Sequence, residues 1–387
     1  MASSPELLPF RLPPPAAGRA DVLIVAGEHS GDEHAARLVR ELRATRPGLA
    51  VAALGGPELA RAGAQLLHDL TATSVVGFVE VLRHYSFFKA LFEETLRWIG
   101  EHRPRAVCFV DYPGFNLRLA AALRERGLSV KGGGTVKLLY YISPQIWAWK
   151  GKRRFTMARD LDALAVIFPF EVACYRDTDL PVEFVGHPFL AADYVPPVRD
   201  DPAGPVLLLP GSRVQAVGRI YPVLLAAYRK YRAGGGEREA VVIYPSEEVA
   251  AVLRRHEAAD CRLVPTGGQV TASAVLTSSG TMSLHCALAG IPGAIAYRTN
   301  PLTYLLARWW VKLDYIGIAN LLLKAPMYPE FIQGAATAPA LAAELHACLA
   351  DPARRTAPRG QAEKLRDLLN RPAGGTAADW LARRLEG

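Results

Sequence analysis

DVLIVAGEHSGDEHAARLVRELRAT (21–45) places a strand, a tight turn and a helix in direct succession. DVLIVA (21–26) is short and almost wholly apolar, the pattern of a strand buried on both faces of a parallel sheet. EHAARLVRELRAT (33–45) then spaces its apolar residues as a helix does. The turn between them, GEHSGD (27–32), carries glycines where a strand runs straight into a helix. There backbone N–H groups can approach an anion and the helix N-terminus favours negative charge. Glu28, Ser30 and Gly31 are accordingly candidate substrate contacts. The spacing is not GxGxxG, so a dinucleotide site is not supported. Read alone, the turn is equally a plain one closed by a Ser or Asp cap.

Outward from this unit the same alternation recurs. LAVAAL (49–54), AVCFV (106–110), VKLLYYI (136–142), ALAVI (163–167) and VEFVG (182–186) repeat the strand signal, with helical patterns between them. Alternation of this kind means βαβ units around a parallel sheet. YVPPVRDDPAGP (194–205) reads as a linker, after which VLLLP (206–210), AVVIY (240–244), SAVLTS (273–278) and GAIAY (293–297) restart the series. The expected organisation is α/β, with two Rossmann-like parallel-sheet domains facing a central cleft. They cover residues 1–200 and 201–354, and a basic helical tail over 355–387 is broken by Pro372-Ala373-Gly374-Gly375. In such folds ligands bind beyond the carboxyl ends of the strands.

Composition sets the outer bounds. The 387 residues suggest two or three domains, and 50% hydrophobic with 21% charged residues is globular, excluding disordered, collagen-like and disulfide-framework classes. A net charge of +8 favours an anionic partner: nucleic acid, an acidic membrane surface or a phosphorylated substrate. Five widely spaced cysteines without a CxxC point to a reduced cytosolic protein. Arg11 interrupts the apolar core a signal peptide would need. No apolar run is long enough to span a bilayer, and the most lipid-like stretch (304–327) is interrupted by Arg308, Lys312, Asp314 and Lys324.

Several positions suggest chemistry. In LLPGSR (208–213), Ser212 and Arg213 follow a strand, and a guanidinium there suits a diphosphate because it is always charged and bidentate. Ser278-Ser279-Gly280-Thr281 repeats the arrangement; each loop alone is equally an ordinary cap. Asp111, at the tip of the 106–110 strand, stands where a general base belongs, or caps the helix starting near Asn116. Trp147 beside Lys150, Lys152, Arg153 and Arg154 suits sugar stacking or interfacial contact, or is a core residue next to a solvated helix. The basic run has no aromatic–basic RNA motif with it, so no nucleic acid is expected. Val81, Tyr85, Phe88, Phe92 and Ile99, widened by Leu82, Leu91 and Trp98, form one helical face. Such a face is ordinarily core, although its width also suits acyl chains or a membrane surface. Asp177-Thr178-Asp179 has the form of a metal–nucleotide site but reads as a turn, and no metal or cofactor is expected.

Together the motifs resemble the lipid-A-disaccharide synthase family from about Val22 to Gln333. The resemblance rests on GEHSGD (27–32), LGGPELARAGA (54–64), VGFVEVL (76–82), DYPGFN (111–116), SPQIWAW (143–149) and FPFE (168–171). It continues in FVGHP (184–188), LLPGSR (208–213), SSGT (278–281) and NLL (320–322). It implies a GT-B fold and an inverting, metal-independent transfer. UDP-2,3-diacylglucosamine is joined to 2,3-diacylglucosamine 1-phosphate (lipid X), releasing UDP. Residues 1–200 become the acceptor side and 201–354 the UDP-sugar side. It further implies Asp111 as base, Arg213 and the 278–281 loop on the diphosphate, and Asn320 in the donor site. Dimers exchanging C-terminal segments, and a peripheral place on the cytoplasmic face of an anionic inner membrane, complete what it implies.

The chain also departs from that family. His285 stands where the family has a glutamate that meets the UDP ribose, and it is carried as a substrate contact. Val214-Gln215-Ala216-Val217 lacks the family's glutamate after Gly-Ser-Arg, Ala319 replaces a proline, and 132–134 is a Gly-Gly-Gly insert. The competing expectations are another UDP-sugar enzyme on the same fold, such as an epimerase, and a non-catalytic membrane-surface protein.

Overall fold

The computed structural model describes residues 11–71, 85–148, 150–191, 194–256, 260–300, 314–370 and 373–386. Val81 and Leu82, the side chain of Tyr85, the VGFVEVL segment, Trp149, Pro372 and residues 304–313 lie outside the described residues. The chain forms two compact units: Met1–Pro188 with Arg371–Gly387, and Phe189–Asn370.

The first unit is built on seven parallel strands: β1 (Val22–Ala26), β2 (Val51–Gly55), β3 (Gln65–Asp69), β4 (Ala106–Val110), β5 (Lys137–Tyr141), β6 (Ala163–Val166) and β7 (Val182–Phe184). Their order is β3-β2-β1-β4-β5-β6-β7, so the direction of winding reverses between β1 and β4, where Val22 pairs with Ala106. Every residue of β1, β2, β4 and β6 is buried, as uninterrupted apolar runs require when helices cover both faces. The edge strand β3 has one buried residue in five, which is why no apolar run announces it.

Helices α1 (His29–Thr45), α2 (Pro57–Arg61), α3 (Tyr85–His102), α4 (Pro113–Glu125) and α5 (Arg153–Asp160) are among those that cover this sheet. On α3, Leu91, Leu96, Trp98 and Ile99 are buried in the sheet's core, Phe87 and Phe92 pack against it, and half-buried Phe88 sits edge-on to Phe87 at 5.9 Å. This part of the aromatic face is core. The 132–134 insert closes a turn before β5, at the amino end of the strand and away from the motif loops.

The second unit repeats the plan with β9 (Val206–Leu209), β10 (Ala240–Tyr244), β11 (Cys261–Pro265), β13 (Ala274–Thr277), β14 (Gly293–Tyr297) and β15 (Glu330–Ile332). They are all parallel, in the order β11-β10-β9-β13-β14-β15. A separate pair joins β8 (Val198–Asp200) to β12 (Val270–Ala272). Among the described residues its helices are α6 (Val214–Ala233), α7 (Glu247–Arg254), α8 (Thr281–Leu288), α9 (Ile318–Leu323), α10 (Ala338–Ala350) and α11 (Pro352–Leu369).

The division between units falls earlier than composition suggests. The Pro- and Asp-rich segment around 200 is built into the second unit, because Val198 pairs with Val270 and Asp200 accepts from Arg355 at 2.5 Å and Arg359 at 3.1 Å. The region read as one tail splits in two. Helix α11 packs on α8, α9 and α10, whereas α12 (Ala377–Glu386) packs on α1 of the first unit. There Trp380 is fully buried, Lys137 Nζ donates to the Arg384 carbonyl at 2.8 Å, and Arg46 pairs with Glu386. The last helix therefore packs on the first unit and not on the helix before it.

Candidate functional site

Because the strands are parallel, the loops after β1, β4, β5, β6 and β7 all emerge at one sheet edge. Those loops are GEHSGD, DYPGFN, SPQIWAW, FPFE and FVGHP. Ligand sites of open α/β sheets lie at this edge, beside the reversal of winding that here falls between β1 and β4.

Asp111 stands at the end of β4 in the left-handed region (φ 46°), and Tyr112 follows it there (φ 51°). Two successive non-glycine residues in this conformation are costly and persist only where surrounding bonds dictate them. The Asp111 carbonyl accepts from the Tyr140 hydroxyl at 2.6 Å and from Asn116 Nδ2 at 2.7 Å, while its N–H donates to the Tyr141 carbonyl at 3.0 Å. The turn brings the Tyr112 ring against Gly27: a Cβ at residue 27 would meet that ring at 2.1 Å. The N-cap of α4 is Tyr112, with Pro113 behind it and no side-chain cap bond. Asp111 therefore does not occupy the capping position that was its alternative reading.

Glu28 is the N-cap of α1, with Ser30 and Gly31 in the first turn, where N–H groups lack intrahelical acceptors. Asp32, in the same motif, is consumed structurally. Its buried carboxylate accepts from the N–H groups of Gly56 (2.8 Å), Glu58 (2.9 Å) and Leu59 (3.2 Å), tying GEHSGD to the start of α2. Half-buried Trp147 lies edge-on to Phe170 at 5.4 Å and donates its indole N–H to Glu171 Oε1 at 3.3 Å. Burial pushes the Glu171 carboxyl up to about 8. Asp177, in the DxD, is held by Arg154 through two bonds of 2.7 and 2.5 Å, in keeping with a turn.

In the second unit the reversal of winding falls between β9 and β13. The loops that follow these strands abut: a Cβ on Gly211 (φ 115°) would stand 3.3 Å from Ser278 Oγ, and the Ser278 N–H donates to the Leu209 carbonyl at 2.8 Å. Exposed Ser212 and Arg213 lead into α6, with Arg213 as its N-cap; Ser279, Gly280 and exposed Thr281 lead into α8. Two helix N-termini and one guanidinium thus share one sheet edge, an arrangement suited to an anion.

Two other expected contacts lie deeper. His285 is 6% exposed, its ring centroid 3.9 Å from that of Phe189 and parallel within 8° to Tyr194. The Tyr194 hydroxyl lies 3.2 Å from Nε2 and 3.4 Å from Nδ1, so it sits over the imidazole rather than in its plane. Asn320 is wholly buried. Its oxygen accepts from Met327 N–H (2.8 Å) and Tyr328 N–H (3.0 Å), and its amide donates to the Tyr328 carbonyl (2.7 Å) and Glu330 Oε1 (2.9 Å). All four hydrogen-bonding positions of the carboxamide are filled from its own unit. Sequence reading missed Tyr140, Glu171 and Glu330. Only Glu171 left a signal, as the lone charge in FPFE.

The fold is GT-B, a class that holds both glycosyltransferases and sugar-nucleotide epimerases. The glycotransferase of kitacinnamycin superposes with a TM-score of 0.58 at 16% identity, covering 95% of this chain and 99% of that one. The UDP-GlcNAc 2-epimerase of Methanocaldococcus jannaschii gives 0.53 at 9% identity, covering 91% and 99%. The family model for lipid-A-disaccharide synthetase matches residues 22–373. The lipid-A-disaccharide synthase of Geobacter sulfurreducens is 38% identical over 352 residues, 86% of this chain and 88% of that relative. The chain belongs to the lipid-A-disaccharide synthase family, and is a glycosyltransferase of it.

Proposed function

We propose that the chain joins UDP-2,3-diacylglucosamine to 2,3-diacylglucosamine 1-phosphate, with Asp111 as the base. The observation that carries this reading is the left-handed turn at Asp111, imposed by Tyr140 and Asn116 at the sheet edge where the family's motif loops gather. Asp111 takes the proton of the acceptor 6-hydroxyl. The oxygen then attacks the donor's anomeric carbon opposite the departing UDP, and the configuration inverts. Arg213 and the N–H groups at the starts of α6 and α8 meet the charge that develops on the diphosphate. Glu28, Ser30, Gly31 and Trp147 serve the acceptor side, and Ser212 and residues 278–281 the donor side. His285 and Asn320 act by shaping the unit rather than by touching nucleotide, since one is stacked under aromatic rings and the other is saturated.

Both substrates are acylated, and the +8 charge suits an anionic membrane face on the cytoplasmic side. Among the described residues no helix is long and apolar enough to cross a membrane. The test is to incubate purified protein with both lipids and follow UDP and disaccharide, with Asp111→Asn alongside. Wild type should form both products, and the variant should lose about 10²–10⁴ in rate while keeping its fold. A variant within twofold of wild type removes Asp111 from the mechanism. Binding to anionic vesicles should fall as salt rises, since only the electrostatic part is screened.

A further inference from the structure

Glu171 is 1% exposed, a burial that a carboxyl tolerates only with partners. It lies in the 3₁₀ turn Pro169–Tyr175 after β6 and folds back so that Oε2 accepts the Phe168 N–H at 3.2 Å. Its other oxygen accepts the Trp147 indole N–H at 3.3 Å, from the loop after β5. Around this carboxyl the rings interlock. Phe168 stacks on Phe170 (5.7 Å, 16°), Phe170 meets Trp147 edge-on, and His187, after β7, lies 5.3 Å from Phe168. The Glu171 side chain thus ties two motif loops together, and the Phe168 ring brings in the third through His187, making an aromatic wall at the sheet edge that ends in Asp111, whose charge acts on Glu171.

We propose that Glu171 is a positioning residue for the acceptor: by holding the Trp147 indole it fixes the aromatic wall beside Asp111 against which the acceptor sugar packs. This deepens the function proposed above and rests on it. Burial keeps the carboxyl protonated at neutral pH. The wall then carries no second negative charge next to Asp111, which matters for an acceptor bearing a phosphate. Deprotonation above about pH 8 introduces that charge beneath the wall, beside Asp111. Titratable groups near it are Asp111 after β4, His187 after β7, and Cys174 and Tyr175 on its own turn, which in turn feel Arg154 and Arg153 of α5.

The test uses Glu171→Gln, Trp147→Phe and the double variant of the full chain, each checked for an unchanged thermal midpoint within a few degrees. Glu171→Gln is uncharged and nearly isosteric, and it loses one of the two acceptor contacts. It should raise the acceptor KM about three- to tenfold, the worth of one such bond, with kcat nearly constant. The double variant should be no worse than the poorer single one. Independently of turnover, the Trp147 emission, taken as wild type minus Trp147→Phe, should change with a midpoint near pH 8 and lose that change in Glu171→Gln. A transition that survives in Glu171→Gln belongs to another of the neighbours and overturns the proposal. So does a KM within twofold of wild type, or an additive double variant. If wild type forms no disaccharide, the function proposed above fails, while the emission titration still decides whether Glu171 holds Trp147.

Discussion

The Tyr140 hydroxyl donates to the Asp111 carbonyl at 2.6 Å, so a fully buried residue of β5 holds the backbone of a loop residue after β4. The bond supports a conformation that aspartate does not adopt by preference (φ 46°). Tyr140→Phe removes the bond and little volume. We expect the fold to persist and kcat to fall about three- to tenfold, with UDP affinity unchanged, because the turn relaxes without touching the donor side. In an Asp111→Asn background the same change should add nothing. Steady-state kinetics of the four proteins checks this.

Arg213 leads α6 from an exposed position next to the 278–281 loop. Arg213→Ala should weaken UDP binding by at least about tenfold, since hydrogen bonds to charged groups contribute roughly 1.5–3 kcal/mol. Arg213→Lys should recover only part of the loss, because lysine keeps the charge without the planar fork. Calorimetric titration of UDP distinguishes the two. Lysine equal to arginine would show that simple charge suffices.

Asn320 and Glu330 act as one clamp: Glu330 accepts from Asn320 Nδ2 and from the N–H groups of Ile316 and Gly317, each at 2.9 Å. Asn320→Ala leaves the N–H groups of Met327 and Tyr328 without their acceptor. Each buried orphan costs about 1–3 kcal/mol, so thermal stability should drop by several degrees along with activity. Asn320→Asp should fare no better, since it sets a second carboxylate beside Glu330. A variant with unchanged melting and selectively lost UDP affinity would instead place Asn320 on the nucleotide.

Glu171 makes stability depend on pH with a definite sign. Its carboxyl is raised from 4.5 to about 8 by burial, so the folded state holds a proton that the unfolded state releases. Its contribution is complete below about 4.5 and is lost as pH rises toward 8, with a slope of at most about 1.4 kcal/mol per pH unit. His34 works in the opposite direction at lower pH. Burial holds its imidazole down to about 4, so its contribution is lost as pH falls from 6.5. The Glu171 slope is therefore read between pH 6.5 and 9, by urea unfolding. Glu171→Gln should flatten it.

Local pattern carried much of the architecture. The buried runs at 22–26, 106–110, 206–209 and 274–277 are strands, and the Gly- and Ser-bearing turns after them stand at the sheet edges, as strand-to-helix chemistry requires. Half-exposed strands such as β3 and β15 left no such run and went unread. The family itself was legible because its motifs keep their order along the chain.

The alternation of strand and helix, the two-unit plan and the identity of the loops are written in the local pattern, since these depend on spacings of a few residues. What each loop side chain does depends instead on long-range packing. Asp32 caps a helix that begins 25 residues later, Glu171 holds an indole 24 residues earlier, and the last helix returns to the first unit. Asn320 is saturated by residues 327–330, and His285 lies beneath Phe189 and Tyr194. The physical reason is common to all five. A buried polar group or ring must find partners wherever strand order and packing bring them, and neither is encoded in local periodicity.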